Sequence, residues 1–213
     1  MALRLGPNQH HAPAIEEAAR TFGMSPGLLA AIIDAEAGRD RTGRWNPDCR
    51  NPRTSATGLA QFLDGTWRDL AGRRGGWLWT EMAARGLLDG AGRPVAGDAP
   101  LALRREARVA IMALGQSATA NLAALRRAGL APSDADETAC LVYLAHHEGL
   151  AGAIAIMRGD LGEARAARLL AANLGPVRAR EECARGGGAS AAYRSWLLDY
   201  VRRRIVPSRY LEA

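Results

Sequence analysis

Residues Ile32 to Gln61 read IIDAEAGRDRTGRWNPDCRNPRTSATGLAQ. This stretch ends one helix on a carboxylate and then turns a polar segment back towards it, and the rest of the chain is read outward from it. Ile33, Ile32 and Leu29 precede Glu36 at the i−3, i−4 and i−7 positions. Glu36 therefore lies on the apolar stripe of its own helix, while Asp34 points roughly opposite. Ser25 and Pro26 read as N-cap and first helical residue, and Gly38 as the residue just past the end, which puts Glu36 in the last turn. Partial burial and the negative end of the helix dipole both disfavour the ionised form there, so the expectation is an acid held protonated near neutral pH. The alternative is a solvated helix-end glutamate, the commoner situation for this residue type.

Downstream, Thr54-Ser55-Ala56-Thr57-Gly58-Leu59-Ala60-Gln61-Phe62, with Thr66-Trp67 soon after, supplies small hydroxyl residues, a glycine and an amide at the expected opening of a helix. Such a turn can bring N–H groups, hydroxyls and the Gln61 amide close to a sugar without obstruction. With these residues in place the sequence resembles the lysozyme-like lytic transglycosylases and phage cell-wall lysins. In that superfamily a glutamate ends a helix, a Gly-Leu-Met-Gln or similar segment follows, and a Tyr-containing helix ending in glycine comes far downstream. Here Gly58-Leu59-Ala60-Gln61 stands for the second element and Tyr143-Leu144-Ala145-His146-His147-Glu148-Gly149 for the third. Ala60 replaces the usual methionine. Leu144 and His146 replace the common Tyr-Asn-Ala-Gly pattern and, with Gly149, Gly152 and Ala153, resemble the phage-associated branch.

The resemblance covers Pro13 to Met157 and implies an all-α fold. The expected organisation is an N-terminal tail over 1–12, one lysozyme-like catalytic domain over 13–158, and C-terminal helices over 159–213 packed on it. It implies cleavage of the β-1,4 bond between N-acetylmuramic acid and N-acetylglucosamine in peptidoglycan glycan strands, with Glu36 as the catalytic residue. It implies Ser55, Thr57, Gln61, Phe62, Tyr143 and His147 as substrate-binding residues, Tyr143 also orienting the Glu36 carboxyl group. No cofactor and no metal are implied. Two chemical outcomes stay open. A single carboxylate acting as acid and then base gives a 1,6-anhydro product, whereas hydrolysis needs a second carboxylate or a positioned water, for which Asp40 and Asp48 are the nearby candidates. A non-catalytic wall-binding protein on the same fold is the alternative of another class.

Composition bounds the reading. The chain has 213 residues, enough for one good core, and its alanine, leucine and arginine content with only 5% aromatics favours helices. Every one of its 28 positive side chains is arginine, and the net charge of +6 suits an anionic partner such as wall stem carboxylates, lipopolysaccharide, teichoic acid or nucleic acid. Cys49, Cys140 and Cys183 cannot all pair within the chain and lack metal-ligand spacing, so reduced thiols are expected. His146 and His147 are adjacent and point apart, which argues against a metal site. The start, MALRLGPNQHHAP, lacks an apolar core before its first prolines. That predicts a protein made in the cytoplasm without a signal peptide and delivered to the wall by a phage, a holin or a secretion route. No run is long and apolar enough to span a bilayer.

The remaining pattern predicts successive helices. The first spans Ala14 to Phe22, closed by Gly23. A long polar loop follows Glu36 from Arg39 to Thr57, in which Trp45 and Asn46 either meet a sugar or Trp45 anchors the loop in the interior. RRGGWLWTEMAARG, Arg73 to Gly86, reads as a locally packed surface rather than a reader of nucleic acid. Leu101 to Arg127 reads as the longest helix and core of the domain, bent at Gly115. Ser133 with Asp136 reads as a capping box for the helix carrying Tyr143 and His147 on one face, and Asp160 with Glu163 as another, opening a helix to Leu174. Pro176 opens a helix that stops at Gly186. In the last, Ser190 to Ile205, Tyr193, Trp196, Leu197, Tyr200 and Val201 share a face opposite Arg194, Arg202, Arg203 and Arg204. That helix either packs on the globule or lies against an anionic membrane or lipopolysaccharide. A monomer without a specific nucleic-acid partner is expected.

Overall fold

Proline and glycine cut the chain into helices where the sequence places them. The structure, a computed structural model, describes residues 2–212. It contains α1 (Ala12–Phe22), α2 (Pro26–Glu36), α3 (Asp64–Ala71), α4 (Trp77–Ala84), α5 (Ala99–Ala102), α6 (Ala107–Arg127), α7 (Ala135–His147), α8 (Gly149–Arg158), α9 (Glu163–Leu174), α10 (Pro176–Gly186) and α11 (Ala189–Arg204). Short 3-10 turns cover Gly6–His11, Leu103–Arg105 and Pro207–Tyr210. Among the described residues β-pairing is confined to isolated bridges, and the fold class is all-α. The chain forms two compact units. One holds the residues up to Ala120 together with those from Val206 on, the other Asn121–Ile205, and the division falls inside α6.

In the first unit α2 is buried on every side from Gly27 to Ile33, not along a single stripe, because α1 and the Pro207–Tyr210 turn both pack on it. A Cβ on Gly27 would lie 2.5 Å from the Pro207 carbonyl oxygen, so only glycine lets that turn approach. Ala2, Leu3 and Arg4, from the expected tail over 1–12, take part in the same cover: Leu3 bridges Leu211, Arg4 N–H donates to Tyr210 O at 2.9 Å, and Glu212 N–H to Ala2 O at 2.9 Å. The expected helix over Leu101–Arg127 is broken, since a 3-10 turn and an extended Glu106 (φ −79°, ψ 109°) separate α5 from α6. The break lets the Arg104 guanidinium turn inward to the Ser55 and Phe62 carbonyls. Gly115 sits inside α6 at a site where a Cβ would lie 2.5 Å from the Phe22 ring. Its role is close packing.

In the second unit α11 packs on α7, α9 and α10 and buries Tyr193, Leu197, Leu198 and Val201, while Trp196 and Tyr200 of the same expected face are part-exposed. The cap of α7 is shifted one residue from the expected pair. Asp134 Oδ1 accepts from Glu137 N–H at 2.7 Å, and Glu137 Oε2 accepts from Ser133 N–H at 2.7 Å. Glu163, expected to cap its own helix with Asp160, instead accepts from Ala189 N–H at 2.7 Å and Ser190 N–H at 3.1 Å. It thereby caps α11 from a distance in sequence.

Candidate active site

Glu36 is the last residue of α2. Ala37 leaves the helix in an extended conformation (φ −64°, ψ 128°), its N–H returning to Ile33 O at 2.7 Å. The Glu36 side chain is half-buried, with Oε1 shielded from solvent. Gly38, read as a left-handed helix terminator, has no such φ. A Cβ there would lie 2.2 Å from Cys49 Sγ, so the glycine serves close approach. Cys49 is then the link that brings the polar turn to the end of α2. Its carbonyl oxygen accepts Gly58 N–H at 2.9 Å and Gln61 Nε2 at 3.2 Å, while Asn46 N–H donates to Gly38 O at 2.7 Å. Among the described residues the three cysteines are free thiols.

The turn itself needs two left-handed residues, Gly58 (φ 83°) and Gln61 (φ 47°), the latter alone among the described non-glycine residues. Gln61 therefore stands in a tight turn ahead of α3, not at the opening of a helix, and its Nε2 donates to Gly58 O at 2.8 Å. The Ser55 hydroxyl accepts Asp64 N–H at 3.0 Å and so caps α3. Thr57, 4% exposed, donates its hydroxyl to Ser55 O at 3.0 Å. Phe62, 2% exposed, meets Trp67 edge-on with centroids 5.4 Å apart. These two shape the turn from within the core. Sequence reasoning missed Arg104, a buried guanidinium that donates to Ser55 O at 2.9 Å and Phe62 O at 2.8 Å and pairs with Asp64 at 2.7 Å. A Cβ on Gly58 would fall 1.9 Å from the Arg104 carbonyl oxygen. No sequence signal separates this arginine from the many on the surface.

The loop between α2 and the turn is anchored by Trp45, which is 3% exposed. Its indole N–H donates to Asp34 Oδ1 at 3.0 Å, its backbone N–H donates to Asn8 Oδ1 at 2.8 Å, and its ring stacks on His11 at 5.7 Å. Of the two roles open to Trp45, the structure has the anchor. Burial raises the Asp34 carboxyl, but hydrogen bonds from Trp45 and Tyr210 with the Arg39 charge outweigh it and hold Asp34 below its usual value. Asp40 Oδ1 accepts from Thr42 N–H, the Thr42 hydroxyl and Arg44 N–H at 2.8, 2.7 and 3.0 Å. The Thr42 hydroxyl bond foremost keeps that carboxyl below the usual range. The tryptophan-rich segment is likewise folded onto its own neighbours: Trp79 Nε1 donates to Gly92 O at 2.9 Å, and Arg108 lies over the Trp77 ring.

Tyr143 and His147 belong to the second unit. Tyr143 is 1% exposed, and its ring stacks on His147 at 5.5 Å with planes 15° apart, as their shared face implies. Beside them is a carboxylate that sequence reasoning passed over. The Glu148 side chain is 6% exposed, with Oε1 3.7 Å from His147 Nε2, and the Tyr193 hydroxyl donates to that oxygen at 2.5 Å. Burial first, and then Glu148, push the Tyr193 hydroxyl far above its ordinary value. A glutamate at a helix end ahead of a glycine reads as solvated, so only the packing of α11 reveals this one. The candidate residues thus form two groups: Glu36, Ser55, Thr57, Gln61 and Phe62 in the first unit, Tyr143 and His147 in the second. Among the described residues no cluster of three or more His, Cys, Asp and Glu side chains is placed to hold a metal. No protein-family model matches this chain, and no curated protein matches it.

Proposed function

We propose that the chain is a peptidoglycan glycosidase, acting as a lytic transglycosylase on the bond between N-acetylmuramic acid and N-acetylglucosamine. One observation carries the reading. Glu36 ends α2 with a buried carboxyl oxygen, and the Gly58–Gln61 turn is tied through Cys49 to Gly38, two residues beyond it. Glu36 protonates the glycosidic oxygen, and positive charge develops on the muramic-acid ring. The resulting carboxylate then takes the proton of the C6 hydroxyl, whose oxygen closes on C1 to give the 1,6-anhydro sugar and restore the acid. Asp40 is engaged three times by its own loop, which favours one carboxylate doing both steps over hydrolysis with Asp40 as a second. In the turn, Gln61 has its Nε2 bound to backbone carbonyls, so its sugar contact runs through Oε1. Tyr143 and His147, stacked on each other within the second unit, are proposed as further substrate contacts on the strength of the family resemblance alone. Delivery to the wall by a phage, holin or secretion route belongs to the same proposal.

Turbidity of purified peptidoglycan tests it. The wild-type chain should clear the suspension, and Glu36→Gln, which keeps the side-chain volume, should lose on the order of 10²–10⁴-fold in rate or more with its thermal midpoint unchanged. Mass spectrometry of the fragments should show anhydro ends about 18 Da lighter than hydrolytic ends, one water by the chemistry of the two routes. Reducing ends would instead make it a muramidase. A wild-type chain that sediments with intact wall would make it a binding protein.

A further inference from the structure

The second unit contains a cleft of about 740 Å³ that the proposed chemistry does not use. It lies where α11 faces the end of α8 and the start of α9, and Arg158, Arg194 and Arg202 line it with Glu163 and Asp199. Its volume is that of a small-ligand site. Two of the guanidiniums are fixed by neutral partners: Arg158 Nη2 donates to Ala128 O at 2.7 Å and Arg194 Nε to Ile156 O at 2.9 Å. These bonds orient the charge without cancelling it, which is the preorganisation a carboxylate-binding arginine needs. The acids are occupied. Both Glu163 oxygens accept the N–H groups that open α11, and Asp199 lies 3.5 Å from Arg202. Met157 and Leu198 supply an apolar part, and the Ser195 side chain is on the exposed rim.

We infer that this cleft binds a short acidic peptide, and that its source is the stem peptide of the wall polymer whose glycan the proposed site cleaves. Three guanidiniums against two carboxylates leave one net positive charge. That balance suits carboxylates carried on a peptide with methyl groups and an ammonium better than a phosphate dianion or a polyphosphate chain, which would call for a lining free of acids. The apolar patch beside the arginines takes the alanine methyl groups. The assignment to stem peptide rests on the proposed function, whereas the carboxylate chemistry of the cleft does not.

Calorimetric titration of the full chain with the free tripeptide L-alanyl-γ-D-glutamyl-meso-diaminopimelate tests it, because that probe has no glycosidic bond. Saturable binding with Kd on the order of 1 mM or tighter is expected. The double variant Arg158→Gln/Arg194→Gln should weaken it about tenfold or more. Ser195→Trp, which fills the cleft from the exposed rim and keeps every charge, should weaken it as much. Glu36→Gln should bind as the wild type does. The inference is overturned if the tripeptide fails to bind, if both cleft variants bind it unchanged, if the carboxamide form of the tripeptide binds equally well, or if pyrophosphate binds more tightly, which would make the cleft a phosphate site. A failed titration alongside a cleared wall suspension removes the stem-peptide site and leaves the glycosidase standing. Binding alongside an intact suspension does the reverse.

Discussion

Gln61 occupies a left-handed backbone position that disfavours an L-residue by about 1–2 kcal/mol, and its amide holds it there by bonding two carbonyls at once. Gln61→Ala loses the amide and keeps the strain, so it should destabilise the first unit by roughly 1–3 kcal/mol. Gln61→Gly loses the same hydrogen bonds but relieves the backbone, and should be the milder change by about 1 kcal/mol. Denaturant midpoints of the two variants check the order. A second residue couples stability to acid. His11 is buried with Nε2 unpartnered, and burial first and the His10 charge second lower its pKa from 6.5 to about 4. The unfolded chain therefore takes up the proton first as pH falls. The contribution is complete above the unfolded value of 6.5 and is lost between there and about 4. His11→Phe keeps a flat ring against Trp45 and removes the titration, so the stability difference between about pH 7.5 and about pH 4 should shrink by about 2–3 kcal/mol relative to wild type.

Among the elements, Glu163 is the one whose role sequence reasoning placed on the wrong helix. Glu163→Ala should leave Ala189 and Ser190 N–H groups without their acceptor and cost about 0.5–2 kcal/mol, as loss of an N-cap does. Hydrogen exchange should rise in the first turn of α11 and not in α9, where the local reading Asp160-x-x-Glu163 would put the damage. The same contrast explains what was legible. Helix ends marked by chain-local chemistry were readable: Pro26 and Glu36 bound α2, Gly23 ends α1 with φ 65°, and Pro176 opens α10. Positions decided by partners far along the chain were not. Gly38 answers to Cys49, Gly115 to Phe22 and Gly58 to the Arg104 backbone, and the break before α6 follows an arginine whose carbonyl partners lie at Ser55 and Phe62. Glu36 and the Tyr143–His147 face were named from spacing, and Gln61 from the make-up of its turn and the family resemblance. Cys49, Arg104 and Glu148, which hold them, have no periodicity to announce them.

At the scale of the molecule, the first unit is discontinuous: Asn121–Ile205 comes between its main part and the segment from Val206 on. Removing residues 206–212 should uncover Gly27 and unpair Leu3, costing at least about 2 kcal/mol from a buried proline and the contacts of Leu211. Amide exchange should rise along α2 while α7 and α9 keep their protection. The arrangement also has a consequence in time. The helix that ends in Glu36 is made early, yet the turn that covers it, Pro207–Tyr210, is translated only after the whole second unit. A nascent chain holds α2 without its cover until that turn has left the ribosome, so the activity proposed for Glu36 waits on the last turn to be made.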